Sequence, residues 1–304
     1  MRICLMVEGQ EGVTWDEWVA LARAAEDAGL DGLFRSDHYS AIILPVAGSL
    51  DAWATLAGLA VVTERLRLGT LVSPATFRHP SVLARMATTV DHISGGRVEL
   101  GMGAGWFDRD HSENGFPFYD AKRRFDLLAE QVEIVVRSWT EENFDHDGAH
   151  YTLRDQDALP RPVQQPHPPI VLGGRAKPRS AALAARFAAE YNTLGAPLDE
   201  LAERRQRLDD ACAAIGREPS TLVHSLMTTC VVGHDANEVA ERQRRVEELT
   251  GEPADEMWLA GTVDELAERF AQLEQVGIQR VFLQHLDHRD LGAVAAMGAL
   301  GRGA

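Results

Sequence analysis

The sequence predicts one α/β domain over residues 1–304, folded as a TIM-like (β/α)8 barrel with insertions. Eight short apolar and β-branched runs alternate with longer segments of helical periodicity, which is the pattern of a parallel sheet with crossover helices. No G-x-G-x-x-G motif follows the first run, where an open doubly wound sheet would carry it. The length of 304 residues suits one barrel, although it also allows two smaller domains. We therefore favour the closed barrel over the open sheet.

Each predicted strand is a short run bounded by polar or turn-forming residues. The eight ranges are 2–7, 32–35, 66–72, 97–102, 170–172, 191–193, 222–232 and 281–284. In a (β/α)8 barrel the active site lies at the carboxyl ends of the strands. The residues that directly follow these ranges are therefore the first candidates for a functional site.

The predicted helices follow from apolar periodicity and from capping residues. Thr14 and Glu17 have the spacing of a capping box, and Gly29 ends the helix that begins there. Thr262 and Glu265 repeat this spacing before the last strand, so we expect the first and last helices to connect to the strands that follow them in the same way. Further helices are predicted over residues 51–63, 79–93, 120–139, 178–189, 198–215 and 237–249.

Residues 140–169 are predicted to form an irregular, proline-rich insertion within the barrel. Five of the chain's 13 prolines lie between Pro160 and Pro169, and this density excludes a helix or a central strand there. Connections of this length in compact domains are usually functional or inserted.

Composition limits the classes of partner. Lys and Arg number 30 against 46 Asp and Glu, and the net charge of −16 argues against nucleic acid or a membrane surface. No apolar run approaches the ~18 residues that span a membrane, and the chain starts directly on a strand rather than on a signal peptide. Cys4, Cys212 and Cys230 are too few and too scattered for a disulfide framework. We therefore expect a cytoplasmic protein with a small-molecule ligand.

Three strand ends carry residues that suggest chemistry. Asp37 and His38 pair a carboxylate with an imidazole, which can donate a proton or hydrogen-bond to a bound carbonyl. Glycines at 101, 103 and 105 precede Trp106 and let the backbone approach a flat ligand, because glycine has no Cβ. Residues 173–175, Gly-Gly-Arg, precede a helix and form a candidate anion-binding turn. Capped loops and tight turns use the same residues, so each pattern alone leaves that alternative open.

Two stretches of the chain contain basic but no acidic residues. They lie between Glu64 and Asp91 and between Asp157 and Glu190, and they carry +4 and +5. The cations are Arg65, Arg67, Arg78, Arg85, Arg161, Arg175, Lys177, Arg179 and Arg186. Because both stretches include strand ends, they predict the binding of a phosphorylated ligand. No metal site is predicted, since no H-E-x-x-H or comparable ligand spacing occurs.

Four segments, taken in order, resemble the bacterial-luciferase-like family of flavin- or deazaflavin-dependent oxidoreductases. They are residues 36–38, 68–80, 94–106 and 168–174, of which the second and third are specific when they occur together. The resemblance is strong up to about residue 195 and weaker beyond it. It is nearest to the branch that uses coenzyme F420, a 5-deazaflavin with a phosphate and a polyglutamyl tail.

This resemblance implies a luciferase-like barrel, a site at the strand ends and usually a homodimer. Family members carry a non-proline cis peptide that supports the back of the cofactor ring, and by position that bond is Leu71–Val72. Asp37 and His38 match a pair that touches the ring, and His38 is the implied catalytic residue. The implied cofactor-binding set is Asp37, His38, Leu71, Val72, Ser73, Ala104, Gly105, Trp106, Gly173, Gly174 and Arg175.

One position departs from the pattern of the F420 branch. F420-dependent sugar-phosphate dehydrogenases have a glutamate acid just after the glycine run, and this chain has Trp106 there. The departure argues against sugar-phosphate oxidation. With Phe107, it suggests an apolar or aromatic wall beside the substrate.

The function predicted from these features is hydride transfer between coenzyme F420 and an unidentified small organic substrate. The protein would supply binding, orientation and one proton relay. An alternative is an FMN-dependent monooxygenase that uses O2 and reduced flavin from a separate flavin reductase. Arg78 and Lys177 favour F420, since they offer charge to an anionic tail that FMN lacks.

Two readings outside redox catalysis stay open. The chain is also compatible with a flavin-binding protein without turnover, because a barrel fold does not imply one chemistry. Another phosphate-binding barrel enzyme, such as an aldolase, would need a Schiff-base lysine at a strand end. The chain's two lysines, Lys122 and Lys177, lie outside the predicted strands, which weakens that reading.

Overall fold

A closed barrel of parallel strands forms the centre of the computed structural model, which describes residues 1–44 and 47–301. The strands are β1 (Arg2–Val7), β2 (Gly32–Arg35), β3 (Arg67–Thr70), β4 (Ser73–Pro74), β5 (Val98–Gly103), β6 (Phe144–Asp147), β7 (Thr152–Gln156), β8 (Ile170–Gly173), β9 (Glu190–Leu194), β10 (Val223–Gly233), β11 (Leu259–Thr262) and β12 (Arg280–Gln284). The barrel runs β1, β2, β3, β5, β8, β9, β10 and β12, and it closes where β12 pairs with β1. This confirms the predicted fold class, and each of the eight predicted ranges contributes a barrel strand.

Helices surround the barrel and connect its strands. They are α1 (Trp15–Ala28), α2 (Ala52–Val62), α3 (Pro80–Ser94), α4 (Asp108–Asn114), α5 (Ala121–Thr140), α6 (Pro178–Phe187), α7 (Leu198–Ala214), α8 (Ala236–Thr250), α9 (Val263–Gln275) and α10 (Leu291–Leu300), with a short 3-10 turn at Pro219–Thr221. Both predicted capping boxes are present, at Thr14 with Glu17 and at Thr262 with Glu265. Within the described ranges, no helix is both long enough and apolar enough to cross a bilayer.

The third barrel strand is shorter than predicted. β3 ends at Thr70, and the chain returns to the sheet as β4, which pairs with the end of β5. The peptide bond between Leu71 and Val72 is cis, at the position that the resemblance implied. This irregular segment lies at the carboxyl edge of the barrel, where it shapes the rim of the candidate site.

Five further elements were not predicted from the sequence patterns. β6 and β7 form an antiparallel hairpin inside the stretch predicted to be irregular, because the prolines at 160–169 lie beyond it. α4 has only seven residues and no side-chain cap, and β11 has four residues. α10 is apolar on every side, so it lacks the period that marks an amphipathic helix.

Buried charges fill the amino-terminal half of the barrel interior. Arg280 is fully buried and donates to Glu99 at 2.7 Å and to Glu190 at 3.0 Å. Its guanidinium lies over the rings of Phe34 and Phe282, 4.8 and 4.6 Å from their centroids. Burial disfavours the charge on both carboxylates, but Arg280 outweighs it for Glu99 and lowers that pKa, whereas burial and the charge of Glu99 together raise the pKa of Glu190. A ligand is therefore expected at the opposite, carboxyl edge of the barrel, where barrels of this class place their active sites.

Candidate functional site

An apolar floor lies below the carboxyl edge of the barrel. Met6, Leu71 and Val171 belong to a buried cluster inside the barrel that also contains Cys4, Phe34 and Phe282. Val72 is partly buried and packs against the same cluster. The structure thus places Leu71 and Val72, two of the residues implied to support a cofactor ring, in the apolar layer that closes the barrel below its carboxyl mouth.

A polar network borders this mouth on the side of β1, β10 and β12. Glu8 directly follows β1, and its carboxylate accepts from Gln284 at 2.5 Å and from Gln10 at 2.9 Å. Gln284 in turn accepts from the hydroxyl of Thr229 at 2.7 Å. The position of Glu8 after a predicted strand was the available signal for it, and the sequence patterns alone did not single it out.

Asp37 is buried beneath the mouth rather than facing it. It is 1% exposed. Both of its oxygens accept from Arg78, at 2.6 and 3.1 Å, and Oδ2 also accepts from the hydroxyl of Ser73 at 2.6 Å. Arg78 is paired with Asp51 as well, at 2.9 Å. Asp37 and Ser73 therefore hold the irregular segment after β3 in place, and Arg78 is already neutralised, which removes it as a cation for a ligand's anionic tail.

The side chain of His38 points away from that of Asp37 and pairs with a different carboxylate. Its Nδ1 lies 2.5 Å from Oδ2 of Asp110, a fully buried residue of α4. Oδ1 of Asp110 accepts from the backbone N–H groups of Tyr39 and Ser40, at 3.0 and 2.7 Å. Burial disfavours the charged form of Asp110, but these hydrogen bonds outweigh it and lower its pKa. The predicted pairing of His38 with its neighbour Asp37 is therefore corrected to a pairing with Asp110, 72 residues along the chain.

The rim beside His38 is aromatic. Ala104 and Gly105 are partly exposed, and Gly105 has a φ of 78°, a conformation that favours glycine. Trp106 is 63% exposed. The rings of Trp106 and Phe107 each meet the imidazole of His38 edge-on, with centroids 5.9 Å apart. The structure thus brings Trp106 and His38 to the same side of the mouth.

Two glycines that precede this rim leave space for the neighbouring segment after β3. A Cβ on Gly101 would lie 2.0 Å from the carbonyl oxygen of Thr70, and one on Gly103 would lie 2.4 Å from Cγ2 of Val72. Gly101 and Gly103 therefore allow the segment after β3 to pack against β5. The missing Cβ atoms are thus needed for packing within the protein, and contact of this backbone with a flat ligand stays a prediction.

The turn after β8 is exposed at the same edge. Gly173, Gly174 and Arg175 are all exposed, and Gly174 has a φ of 145°. The N–H of Gly174 is already used, since it donates to the carbonyl of Asn192 at 3.0 Å. α6 follows, with Lys177 as its N-cap residue and no side-chain capping bond. An uncapped helix start beside cations is a favourable place for an anion.

Few cations of the two acid-free stretches are available to a ligand at this turn. Seven of their nine cations are engaged by protein groups: Arg65, Arg67, Arg78, Arg85, Arg161, Arg179 and Arg186. Arg67 pairs with Glu99 at the amino end of β3, on the far side of the barrel. Within residues 1–44 and 47–301, the side chains of Arg175 and Lys177 have no hydrogen-bond or ion-pair partner, although the backbone carbonyl of Lys177 accepts from Ala181 and Ser180. The stretches therefore do not converge on one site, and the available charge is confined to these two residues.

Comparison with known proteins shows a family. A model of the luciferase-like monooxygenase family matches residues 2–250. An uncharacterised protein of Mycobacterium tuberculosis is 34% identical over 170 residues, which are 56% of this chain and 58% of that relative. The chain thus aligns with somewhat more than half the length of this curated relative.

Solved structures of low sequence identity share the fold. An F420-dependent secondary alcohol dehydrogenase, solved with an F420-acetone adduct, superposes with a TM-score of 0.82 at 18% identity, covering 98% of this chain and 97% of that one. The oxygenating constituent of 3,6-diketocamphane monooxygenase from Pseudomonas putida, solved with FMN, superposes with a TM-score of 0.79 at 19% identity, covering 99% and 96%. At these identities the likeness concerns the fold alone.

Proposed function

We propose that this chain, which belongs to the luciferase-like monooxygenase family, transfers a hydride between coenzyme F420 and a small organic substrate. The observation that carries the proposal is the turn after β8, where Arg175 and Lys177 are exposed and unpaired in the described chain. F420 has a phosphate and a polyglutamyl tail, so two free cations match it better than they match the single phosphate of FMN. The F420-dependent alcohol dehydrogenase with the same fold supports this choice.

The residues present fit a flat, phosphorylated cofactor. Bound F420 would supply carbon 5 of its deazaflavin as the centre that takes up or releases hydride. In this proposal the floor receives the ring, the turn after β8 receives the phosphate, and the rim borders the ring's edge. The contacting residues would be His38, Leu71, Val72, Ala104, Gly105, Trp106, Gly173, Gly174 and Arg175, with Asp37 and Ser73 supporting them from beneath.

The chain's own part in the reaction is to orient the substrate and to handle one proton. His38 is the group at the mouth to which we assign this proton, and its side chain is 14% exposed. Trp106 and Phe107 lie against it and limit the access of water from that side. This aromatic wall favours a substrate with an apolar or aromatic group next to the reacting carbon.

A second candidate function is an FMN-dependent monooxygenase with a separate flavin reductase. The FMN-bound structure of the same fold supports it, and the turn after β8 suits either phosphate. A flavin-binding protein without turnover is the third possibility. A cytoplasmic location is part of this proposal, in keeping with three free, buried cysteines.

We also propose a homodimer. α2 and α3 pack against each other and expose apolar side chains, with Val61 74%, Val82 51% and Ile93 43% exposed. α2 is apolar on every side, so its outer face is better covered than left in water. We propose that a second copy of the chain covers this face. Sedimentation velocity of the purified protein measures whether it is a dimer.

Fluorescence titration of the purified protein with F420 and with FMN tests the cofactor. We expect F420 to bind and the double variant Arg175→Ser with Lys177→Ser to weaken that binding by about tenfold per removed cation, because charge-assisted contacts contribute about 1.5–3 kcal/mol. Arg179→Ser is the matched control, since Arg179 lies in the first turn of α6 and is paired with Asp126. Tight FMN binding without F420 binding would overturn the proposal.

A further inference from the structure

The two oxygens of the Asp110 carboxylate have separate partners. Oδ1 is held by the N–H groups of Tyr39 and Ser40, which are backbone donors and cannot change role. Oδ2 faces only Nδ1 of His38, at 2.5 Å. The same helix makes a further contact with this loop, where Glu113 accepts from the hydroxyl of Ser40 at 2.5 Å. α4 therefore holds the loop after β2 through fixed contacts at three successive residues.

These contacts determine which imidazole nitrogen carries the proton. Asp110 has a lowered pKa, because the hydrogen bonds from His38 and the loop outweigh the opposing effect of burial. An ionised carboxylate can only accept, so Nδ1 of His38 must donate to it. In a neutral imidazole the other nitrogen is then unprotonated. Nε2 has no hydrogen-bond partner in the described part of the chain.

We propose that Asp110 is the positioning residue of the site: it orients the ring of His38 and fixes it as the Nδ1–H tautomer, so that Nε2 serves as a proton acceptor at the mouth. Only the use made of that acceptor rests on the proposed function. An acceptor suits the oxidation of a hydroxyl group to a carbonyl. Nε2 would take the O–H proton, and bound oxidised F420 would supply the acceptor for the C–H hydrogen with its two electrons.

Asp110→Asn gives this proposal a sharp test. The amide oxygen is expected to keep the two backbone N–H donors, which leaves the amide nitrogen facing His38. That nitrogen is a donor, so Nδ1 must become the acceptor and the proton must move to Nε2. Nitrogen-15 NMR of histidine-labelled protein, at a pH where imidazoles are neutral, distinguishes the two tautomers without cofactor or substrate. His38→Gln assigns the resonances.

Turnover provides the second readout. With the tautomer reversed, we expect kcat to fall by about 10⁴-fold, the size of effect seen when the aspartate of a serine-protease triad becomes asparagine. KM and F420 affinity should stay close to the wild-type values, because the side chain of Asp110 is fully buried and bonded to His38, Tyr39 and Ser40. Glu113→Gln is the matched control on the same helix and loop, and it should leave the tautomer of His38 unchanged.

The outcomes separate this proposal from the function it rests on. Wild-type His38 in the Nε2–H form, or an unchanged tautomer in Asp110→Asn, overturns the positioning role. A reversed tautomer in Asp110→Asn supports it. If the tautomer reverses but the wild-type protein does not turn over with F420, the positioning role stands and the proposed function fails.

Discussion

At the scale of the residue, His38 can act at the mouth because a buried carboxylate occupies its other ring nitrogen. The bond to Asp110 takes away one of the two directions in which the imidazole could exchange a proton. The rings of Trp106 and Phe107 flank the remaining side. His38 is therefore placed to exchange a proton, whereas the cations proposed to bind the cofactor's phosphate lie in the separate turn after β8.

His38→Ala separates the two roles. We expect turnover to fall by about 10²- to 10⁴-fold, the usual contribution of a positioned acid or base. F420 affinity, measured by fluorescence, should fall far less than turnover, because Arg175 and Lys177 remain and only one contact at the edge of the ring is lost. His234→Ala is the control, since His234 is an exposed histidine just after β10. Unchanged turnover in His38→Ala would remove this residue from the mechanism.

The hydrogen-bond partners of Asp37 and His38 could not be predicted from the sequence. Position after a strand was enough to place Asp37 and His38 near the site. It could not reveal that Asp37 pairs with Arg78 while His38 pairs with Asp110, because both partners come from distant parts of the chain. Adjacent residues in an extended loop point in different directions, so their closeness in sequence was a poor guide to their hydrogen bonds.

At the scale of the element, the turn after β8 depends on one glycine more than on the other. Gly174 has a φ of 145°, and a Cβ there would lie 2.9 Å from the hydroxyl of Tyr191. That hydroxyl accepts from the N–H of Ala176 at 2.9 Å, so Tyr191 also supports the turn. At Gly173 a Cβ would meet only the carbonyl of Asn192, at an ordinary 3.4 Å.

Gly174→Ala and Gly173→Ala form a matched pair. We expect Gly174→Ala to destabilise the fold by about 1–3 kcal/mol, the cost of an alanine in a backbone region reserved for glycine. Gly173→Ala should lie within about 0.5 kcal/mol of the wild type, as most exposed substitutions do. Urea unfolding of both variants measures the difference, and equal stabilities would contradict this account of the turn.

Elements with strong local signals were the predictable part of the fold. The eight barrel strands and the two capping boxes depend on short-range patterns, and all are present. α4, which carries Asp110, is seven residues long and has no side-chain cap. Its position comes from the contacts of Asp110 and Glu113 with the loop after β2, and such contacts leave no periodic trace in the sequence.

At the scale of the whole molecule, charge in three dimensions differs from charge along the chain. The acid-free stretches suggested a broad basic region, yet seven of their nine cations are bonded to carboxylates or carbonyl groups elsewhere. The barrel interior holds Arg280 with Glu99 and Glu190, a cluster that no linear pattern indicated. Charge counts along the sequence located the turn after β8 but overstated its extent.

The interior cluster predicts how stability depends on pH. Burial, together with the charge of Glu99, raises the pKa of Glu190 above its ordinary 4.5, so the folded state holds this proton more tightly than the unfolded chain. The resulting stability is complete below pH 4.5 and is lost as the pH rises through the folded-state pKa. Glu190→Gln mimics the protonated form. It should therefore gain stability relative to the wild type as the pH rises, measured by urea unfolding.

Glu99→Gln is the opposite control for this prediction. Glu99 has a lowered pKa and is the carboxylate that pairs with Arg280 in its charged form. Its loss should cost about 3–5 kcal/mol at neutral pH, because it leaves a buried guanidinium with too little counter-charge. A Glu190→Gln variant that loses stability with rising pH as steeply as the wild type would contradict the assignment of the proton to Glu190.

The bare start of α6 has a consequence for the lifetime of the folded protein. Pro178 offers no N–H, and Lys177 contributes no side chain to the first turn of the helix. A phosphate bound there would do the work of the missing capping residue, so the ligand would become part of the secondary structure. Because only the folded chain can bind this ligand, its binding would also shift the folding equilibrium toward the native state. The concentration of cofactor in the cell would then determine how much of this protein survives heat and proteolysis. This effect would be independent of the catalytic rate.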